Sequence, residues 1–417
     1  MPPPTSGSPE QALRLLFVVD SLDTGGAERS MAEFLPRLDA YGLTPSVVCL
    51  RAGQWPLEKE IVTAGIPVLH LAPAGMVGWT RQMRRLVRHE RPDLVCTVLF
   101  QSDVTGRVAC IGTGTPVLST VATTTYSPGR MGNPDVSAWK VSAVRVLDGL
   151  TSRYLTSHHH AVSEAAKADT VAALGVPATR ISVVPRGRDP GRLGRRSEAR
   201  RNRVRSELGL DPTQPVIIAV GRQEWAKGHS HLLRAVVSLR EEYPDLVTLI
   251  AGRPGAAAER LKALGRELGL GGALRILGDR ADVPDLMSAS DIFVLPSEYE
   301  GLPGVAIEAM ALDLPVVASD LPSIREVVVA RETGLLVPPR DPVALADAIG
   351  RLVGDPTERS RLGKAGRDRF EDRFQLDVAA AAMARLFREV AQEARPTRRM
   401  LLPRKVQIRG GGPVVPK

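Results

Sequence analysis

Short apolar runs rich in β-branched residues recur along the chain, each closed by a glycine or polar turn and followed by a stretch with helical spacing. The run at 13–20 is the first, and 45–50, 66–71, 93–99 and 116–121 repeat it. Runs this short and apolar predict strands buried on both faces, and their alternation with helical segments predicts βαβ units in a parallel sheet. The rhythm restarts at 215–221 and continues through 246–252, 274–278, 292–297, 315–320 and 334–338. The pattern therefore predicts an α/β protein of two doubly wound, Rossmann-like domains facing a cleft. An amphipathic helix over 375–394 belongs to neither sheet and is expected to pack back toward the first domain.

The expected organisation is a disordered leader (1–12), a first domain (13–190), an arginine-rich linker (191–205), a second domain (206–374), the crossover helix (375–394) and a basic flexible tail (395–417). The 417 residues suit two or three ordinary domains. No apolar run is long enough to span a membrane, and the first residues lack the basic start and apolar core of a signal peptide. Cys49, Cys96 and Cys110 sit in apolar surroundings without metal-like spacing, which points to reduced, buried thiols in a cytoplasmic protein.

The net charge of +9 is unevenly spread. The segment from Arg186 to Arg205 carries +7 and the segment from Arg395 onward another +7, leaving −5 on the rest of the chain. The folded body is thus not basic and aromatic residues make up only 4%, which argues against a nucleic-acid partner. Arg81, Arg84, Arg85 and Arg88 recur at helical spacing beside Trp79, Met83 and Val87. That helix is either a solvated surface helix or one that lies on an anionic membrane surface. His158, His159 and His160 are adjacent, a poor arrangement for converging on one metal, and read as a loop or strand edge.

The most informative stretch follows the strand at 292–297. Glu300 and Glu308 are separated by seven residues that begin Gly301-Leu302-Pro303-Gly304-Val305. Gly301 and Gly304 let backbone approach a ligand, and Pro303 suits a helix start because it gives up no needed donor. The unpaired N–H groups of a helix N-terminus attract phosphate or sugar oxygens. Glu308, one turn into the helix, would suit a ribose diol, and Glu300 a sugar hydroxyl. Alone, the stretch could equally be a capped helix start with two solvated acids. Two further features fit the same ligand. Gly221-Arg222 ends a buried strand and Lys227-Gly228 opens the next helix, so two cations stand at one strand end, suited to a departing diphosphate. In the other domain Gly25-Gly26 permits close approach at a helix N-terminus.

Gly221-Arg222 with Lys227-Gly228, the 296–311 stretch, "LPVVASD" (314–320) and "ETGLLVP" (332–338) together resemble the nucleotide-sugar-dependent glycosyltransferases of family 4, which have the GT-B fold. The resemblance runs from about 13 to 390 and is densest in the second half. It implies that Arg222 and Lys227 bind the donor diphosphate and neutralise the leaving group. It implies that Glu308 holds the ribose, and that Glu300 with the backbone of Gly301 to Val305 holds the transferred sugar. Arg280 would lie near the base, and Gly25 and Gly26 would approach the donor phosphates from the first domain. The family retains anomeric configuration and needs no bound metal, so no cofactor is expected. The implied reaction moves a hexose-type sugar from a UDP- or GDP-sugar to a hydroxyl of a sugar, lipid-linked or small-molecule acceptor, as in envelope, polysaccharide or glycolipid biosynthesis. The implied location is cytoplasmic, including the inner face of the plasma membrane. Three positions depart from the pattern. Thr123, Thr124 and Thr125 occupy the acceptor-side region where a histidine is common; threonine can hydrogen-bond a sugar but is no base near neutral pH. Arg186 stands where asparagine is common. Asp313 stands where glycine follows the helix, a position aspartate tolerates. The rival class is a non-catalytic protein on the same fold that binds a sugar nucleotide or serves as a membrane adaptor.

Overall fold

The structure, a computed structural model, describes residues 12–393 apart from 24, 52, 54, 132 and 134–136. Two parallel sheets form the frame. The first contains β1 (Leu13–Val19), β2 (Leu43–Cys49), β3 (Val68–His70), β4 (Leu94–Val98), β5 (Val117–Val121), β6 (His158–Ala161) and β7 (Ile181–Val183). Their order is β3-β2-β1-β4-β5-β6-β7. The second contains β8 (Val216–Val220), β9 (Val247–Ala251), β10 (Leu274–Gly278), β11 (Ile292–Leu295), β12 (Val316–Ser319) and β13 (Gly334–Val337), ordered β10-β9-β8-β11-β12-β13. The strands β4, β8, β9, β11 and β12 are buried along their whole length, as near-continuous apolar runs require between helices on both faces.

Strand order reverses between β1 and β4 in the first sheet and between β8 and β11 in the second. Such switch points open a crevice at the carboxyl ends of the strands. Gly25-Gly26 follow β1, Arg222 and Lys227 follow β8, and Glu300 follows β11, so all these predicted residues arise at the two crevices.

Two strands are absent from the sequence-based expectation. His158–Ala161 is an interior strand, paired with β5 and β7. It is not a loop or edge: His159 and His160 are buried. Burial holds His159 at about 3 and His160 at about 4 on the pKa scale, so both imidazoles are neutral. The three-residue β7 is too short to leave a periodic signature.

The segment 191–205 is more than a linker. It includes most of the helix Glu198–Glu207, capped by Ser197, which packs against the helix Val283–Ala289 of the second domain. Arg205 is fully buried and pairs with Asp291 at 2.8 Å; Arg201 reaches the same carboxylate at 2.9 Å, and Arg200 holds Asp285 at 2.6 Å. Much of this segment's positive charge is thus spent inside the second domain. The helix Met76–Glu90 buries Met83 and Val87 in the first core, while Val77, Arg81, Arg85 and Arg88 stay outside.

The helix Leu376–Glu393 crosses back onto the first domain, as the sequence predicts. Phe387 meets Phe17 edge-on at 5.7 Å and stacks on Phe34, while Met383 and Val390 join the same core. Cys49, Cys96 and Cys110 are buried free thiols. Asp313 adopts a φ of 54°, the left-handed conformation expected after the helix. The expected tail and nearly all of the expected leader lie outside the described residues. No helix among the described residues is long and apolar enough to cross a membrane.

Candidate functional site

β11 delivers the loop 296–303 to the crevice, and the helix Gly304–Ala311 leaves from it. Pro303 is its N-cap and makes no side-chain cap, so the first-turn N–H groups of Gly304 and Val305 are left for another acceptor. Glu300 has a defined position. Its Oε1 accepts from Lys227 Nζ at 2.7 Å and from Ser297 Oγ at 2.8 Å. Lys227 reaches it because Gly228 turns the chain sharply, with φ of 61°. A Cβ on Gly228 would lie 1.8 Å from the Pro296 carbonyl oxygen, so only glycine fits. The structure therefore joins Lys227 and Glu300, which sequence spacing had assigned to separate duties.

The loop also bridges the two domains. The Glu300 carbonyl accepts from Thr124 Oγ1 at 3.1 Å and from Ser323 Oγ at 3.0 Å. The Gly301 carbonyl accepts from Ser163 Oγ at 2.6 Å. A Cβ on Gly301 would come within 2.1 Å of the Ala122 carbonyl oxygen, so glycine is required by close approach of the first domain. Leu302 is buried in a core cluster that also contains Val162 and Ala166 of the first domain. Of the three threonines expected on the acceptor side, Thr124 spends its hydroxyl on the donor loop. The Cα of Thr123 lies beside Gly301, and Thr125 is half-buried nearby.

Arg222 is exposed at the end of β8 and makes no ion pair among the described residues. Its charge lowers the pKa of Glu28 in the first helix, just past Gly25 and Gly26; burial, the larger effect, leaves that carboxyl raised. Arg222 is thus within electrostatic reach of the helix that begins at Gly26. Arg280, expected near the base, lies in the loop after β10 with its side chain engaged by Asp282 at 2.6 and 2.7 Å.

Two arginines that spacing did not assign to the site complete it. Arg186 is half-buried, its Nη1 lies near Gly26, and its Nη2 donates to the Ala122 carbonyl at 3.1 Å. Burial and the charge of Arg188 push its pKa down to about 10. Arg188 is 2% exposed and donates from Nε to Glu308 Oε1 at 2.7 Å, and from Nη1 to Ser30 Oγ and the Gly187 carbonyl at 3.0 Å each. Its Nη2 lies where a Cβ on Gly304 would be. Arg192 adds a contact to Glu308 Oε1 at 3.7 Å and holds Glu33 at 2.7 Å. Both recorded contacts of the Glu308 carboxylate fall on Oε1. The signal for these residues was present in "PRGRD" (185–189), but nothing in the spacing shows that the junction folds onto a helix 120 residues away.

Residues 24–192 match the model of Glycosyltransferase Family 4, and residues 200–369 that of Glycosyl transferases group 1. A D-inositol 3-phosphate glycosyltransferase from Corynebacterium urealyticum is 33% identical over 219 residues, 51% of either chain. An alpha-maltose-1-phosphate synthase from Mycolicibacterium smegmatis is 28% identical over 387 residues, 88% of this chain and 96% of that protein. The chain spans about half the length of the first curated relatives it matches. Among solved structures, the Anabaena protein HepE in complex with UDP and glucose superposes with a TM-score of 0.79 at 21% identity, covering 90% of this chain and 99% of that one.

Proposed function

The chain belongs to glycosyltransferase family 4 and has the GT-B fold, and from that premise we propose that it transfers a hexose-type sugar from a nucleoside-diphosphate sugar to an acceptor hydroxyl with retention of configuration. The observation that carries this reading is the joined set of Lys227, Glu300 and Ser297 beside an uncapped helix N-terminus, with Arg222 exposed at the end of β8. A diphosphate seated on the N–H groups of Gly304 and Val305 brings its developing charge to Lys227 and Arg222, and preorganised cations stabilise such charge without rearranging. Glu300, held by Lys227 and Ser297, offers its remaining carboxylate oxygen to hydroxyls of the transferred sugar. Glu308 accepts from the ribose diol, its Oε1 anchored on Arg188.

UDP-sugars, since HepE binds UDP, and GDP-sugars are the donors to try first. The two cations supply the charge a metal ion would otherwise provide, so transfer needs no cofactor. The acceptor enters from the first-domain side, past Thr123 and Thr125, and a sugar, a small molecule or a lipid-linked glycan on an anionic membrane surface fits that entrance. Nucleoside-diphosphate release from a panel of UDP- and GDP-sugars tests the reading. Acceptor-dependent release from one donor is the expected result; a chain that binds such donors and never releases nucleotide with any acceptor is a binding protein instead.

A further inference from the structure

The helix Ala138–Leu155 is turned inside out. Its polar residues Asp148, Thr151 and Ser152 are buried. Arg107 donates to Asp148 Oδ1 at 2.7 Å and to Thr151 Oγ1 at 3.0 Å, Tyr126 donates its hydroxyl to Asp148 Oδ2 at 2.8 Å, and Ser152 donates to Asp148 Oδ1 at 3.1 Å. Its large apolar residues, apart from half-buried Val141, Val144 and Leu155, point the other way. Trp139 is 71% exposed, Tyr154 70%, Val146 61% and Leu150 55%, with Leu147 exposed beside them. At about 100° per residue these five, with Ala143, fall in one arc of about 100°. A surface helix ordinarily has the reverse arrangement. Here a polar network does the anchoring and the apolar face is left outward.

Cations border that face on both sides. Lys140 lies on one flank, Arg145 and Arg153 on the other, and all three are exposed. Lys140 sits over the ring of Trp139 at 5.7 Å and Arg153 over that of Tyr154 at 5.8 Å. The helix's one acid, Asp148, is turned inward. The neighbouring surface continues the pattern. The connections β3 to β4, β4 to β5 and β5 to β6 all run in one direction across the sheet, and right-handed crossovers put their helices on one face. The middle helix, Phe100–Ala109, is mostly buried and contacts both others. The same face therefore also presents Arg81, Arg85 and Arg88, with exposed Val77 and Ile111.

We propose that this face docks on an anionic lipid surface, with the helix Ala138–Leu155 as its inserting element. Tyrosine and tryptophan place a ring in the acyl boundary and a polar tip in the headgroups, and flanking lysine and arginine reach up to the phosphates. This fits lipid better than a protein partner, because the cations ring an otherwise continuous apolar strip and no exposed acid breaks it. The helix is tied to the acceptor side of the cleft: Tyr126, which follows Thr125, is the residue that donates to Asp148, and a Cβ on nearby Gly129 would lie 2.6 Å from the Glu298 carbonyl oxygen of the donor loop. A docked molecule thus holds its acceptor entrance close to the lipid. The inference sharpens the lipid-linked acceptor reading above and rests on it for its purpose, but its test needs neither donor nor acceptor. Failure of either idea is therefore visible separately.

The test uses the full chain and vesicles of phosphatidylglycerol and phosphatidylcholine in equal parts. Brominated acyl chains should quench tryptophan emission, and the quenched component should vanish in Trp139→Phe. Val146→Glu with Leu150→Glu should lower the partition coefficient by about tenfold or more, while an unchanged circular dichroism spectrum reports an intact fold. Quenching that survives Trp139→Phe would overturn the proposal, as would unchanged binding by the double variant or equal binding to pure phosphatidylcholine. A dimer in solution that Leu150→Glu dissociates, without vesicle binding by the wild type, would assign the face to a second copy instead.

Discussion

Arg188→Met and Glu308→Leu, made singly and together, should separate the two duties of Glu308. In the native chain four buried or half-buried groups balance: Arg188 and Arg192 against Glu33 and Glu308. The Arg188 guanidinium and the Glu308 carboxylate are 2% and 10% exposed in their side chains and 2.7 Å apart. Each single exchange strands one buried charge, which costs about 3–5 kcal/mol, whereas replacing a whole pair by apolar groups is often neutral. The double variant keeps Arg192 with Glu33 and so remains balanced. It should unfold at a higher denaturant midpoint than either single variant. Because Arg188 also holds Ser30, the loss should register in probes of both domains. Titration calorimetry with UDP and GDP then isolates the ribose contact. Loss of a charge-assisted hydrogen bond of about 1.5–3 kcal/mol should weaken the nucleotide in Glu308→Leu and in the double variant alike. Arg188→Met, retaining the carboxylate, should weaken it less. Singles as stable as the wild type would remove the pair from the stability of the junction. A double variant that binds nucleotide normally would remove Glu308 from the donor site.

Lys227→Ala should lower kcat roughly 100- to 1,000-fold, and because Lys227 and Glu300 form one unit, adding Glu300→Gln should cost little more in single-turnover assays; full additivity would mean separate roles. Gly301→Ala should keep both domains folded yet depress turnover, since its Cβ collides with the Ala122 carbonyl; small-angle scattering should report a wider cleft, and wild-type kinetics would contradict the closure seen here. Transfer should persist in EDTA, and loss restored by Mg²⁺ would show that the cations alone do not stabilise the leaving group. His159 is buried, with neither ring nitrogen hydrogen-bonded among the described residues, and burial lowers its pKa from 6.5 to about 3. A lowered histidine pKa gives stability that is present above 6.5 and fades as the unfolded chain takes up the proton below it. His159→Leu should therefore gain on the wild type in melts run from about pH 7 down to about pH 5; parallel pH profiles would contradict this.

The sequence reading was strongest where one physical cause dominated. Eleven apolar runs between turns predicted eleven strands because a strand buried on both faces has little else it can be. The runs it passed over show the limit. His158–Ala161 is a central strand made of residues that are seldom fully buried, and only its partners β5 and β7 make it one. The donor loop was legible because glycine, proline and two acids have local meanings. The positions of Arg186 and Arg188 were not, since Gly26 and Ser30 lie more than 150 residues away and are brought near only by the fold of the first domain, and Glu308 meets Arg188 only where the two domains join. The basic helix Met76–Glu90 showed its charges, but not that Met83 and Val87 beside them pack inward. The outward apolar strip of Ala138–Leu155 could be found only after Arg107 was seen to draw Asp148 and Thr151 into the interior.

The return of the helix Leu376–Glu393 to the first domain also bears on how the chain matures. Phe387, Met383 and Val390 form one wall of the core around Phe17 and Phe34, yet they are made more than 350 residues after Phe17. On the ribosome, the amino-terminal half must wait with that apolar surface uncovered while the second domain, whose strands are all complete by Val337, is already able to condense. The order of maturation is then opposite to the order of synthesis. A product stalled before Leu376 would lack the cover that Phe387, Met383 and Val390 give to Phe17 and Phe34, and only synthesis of that helix completes the first core.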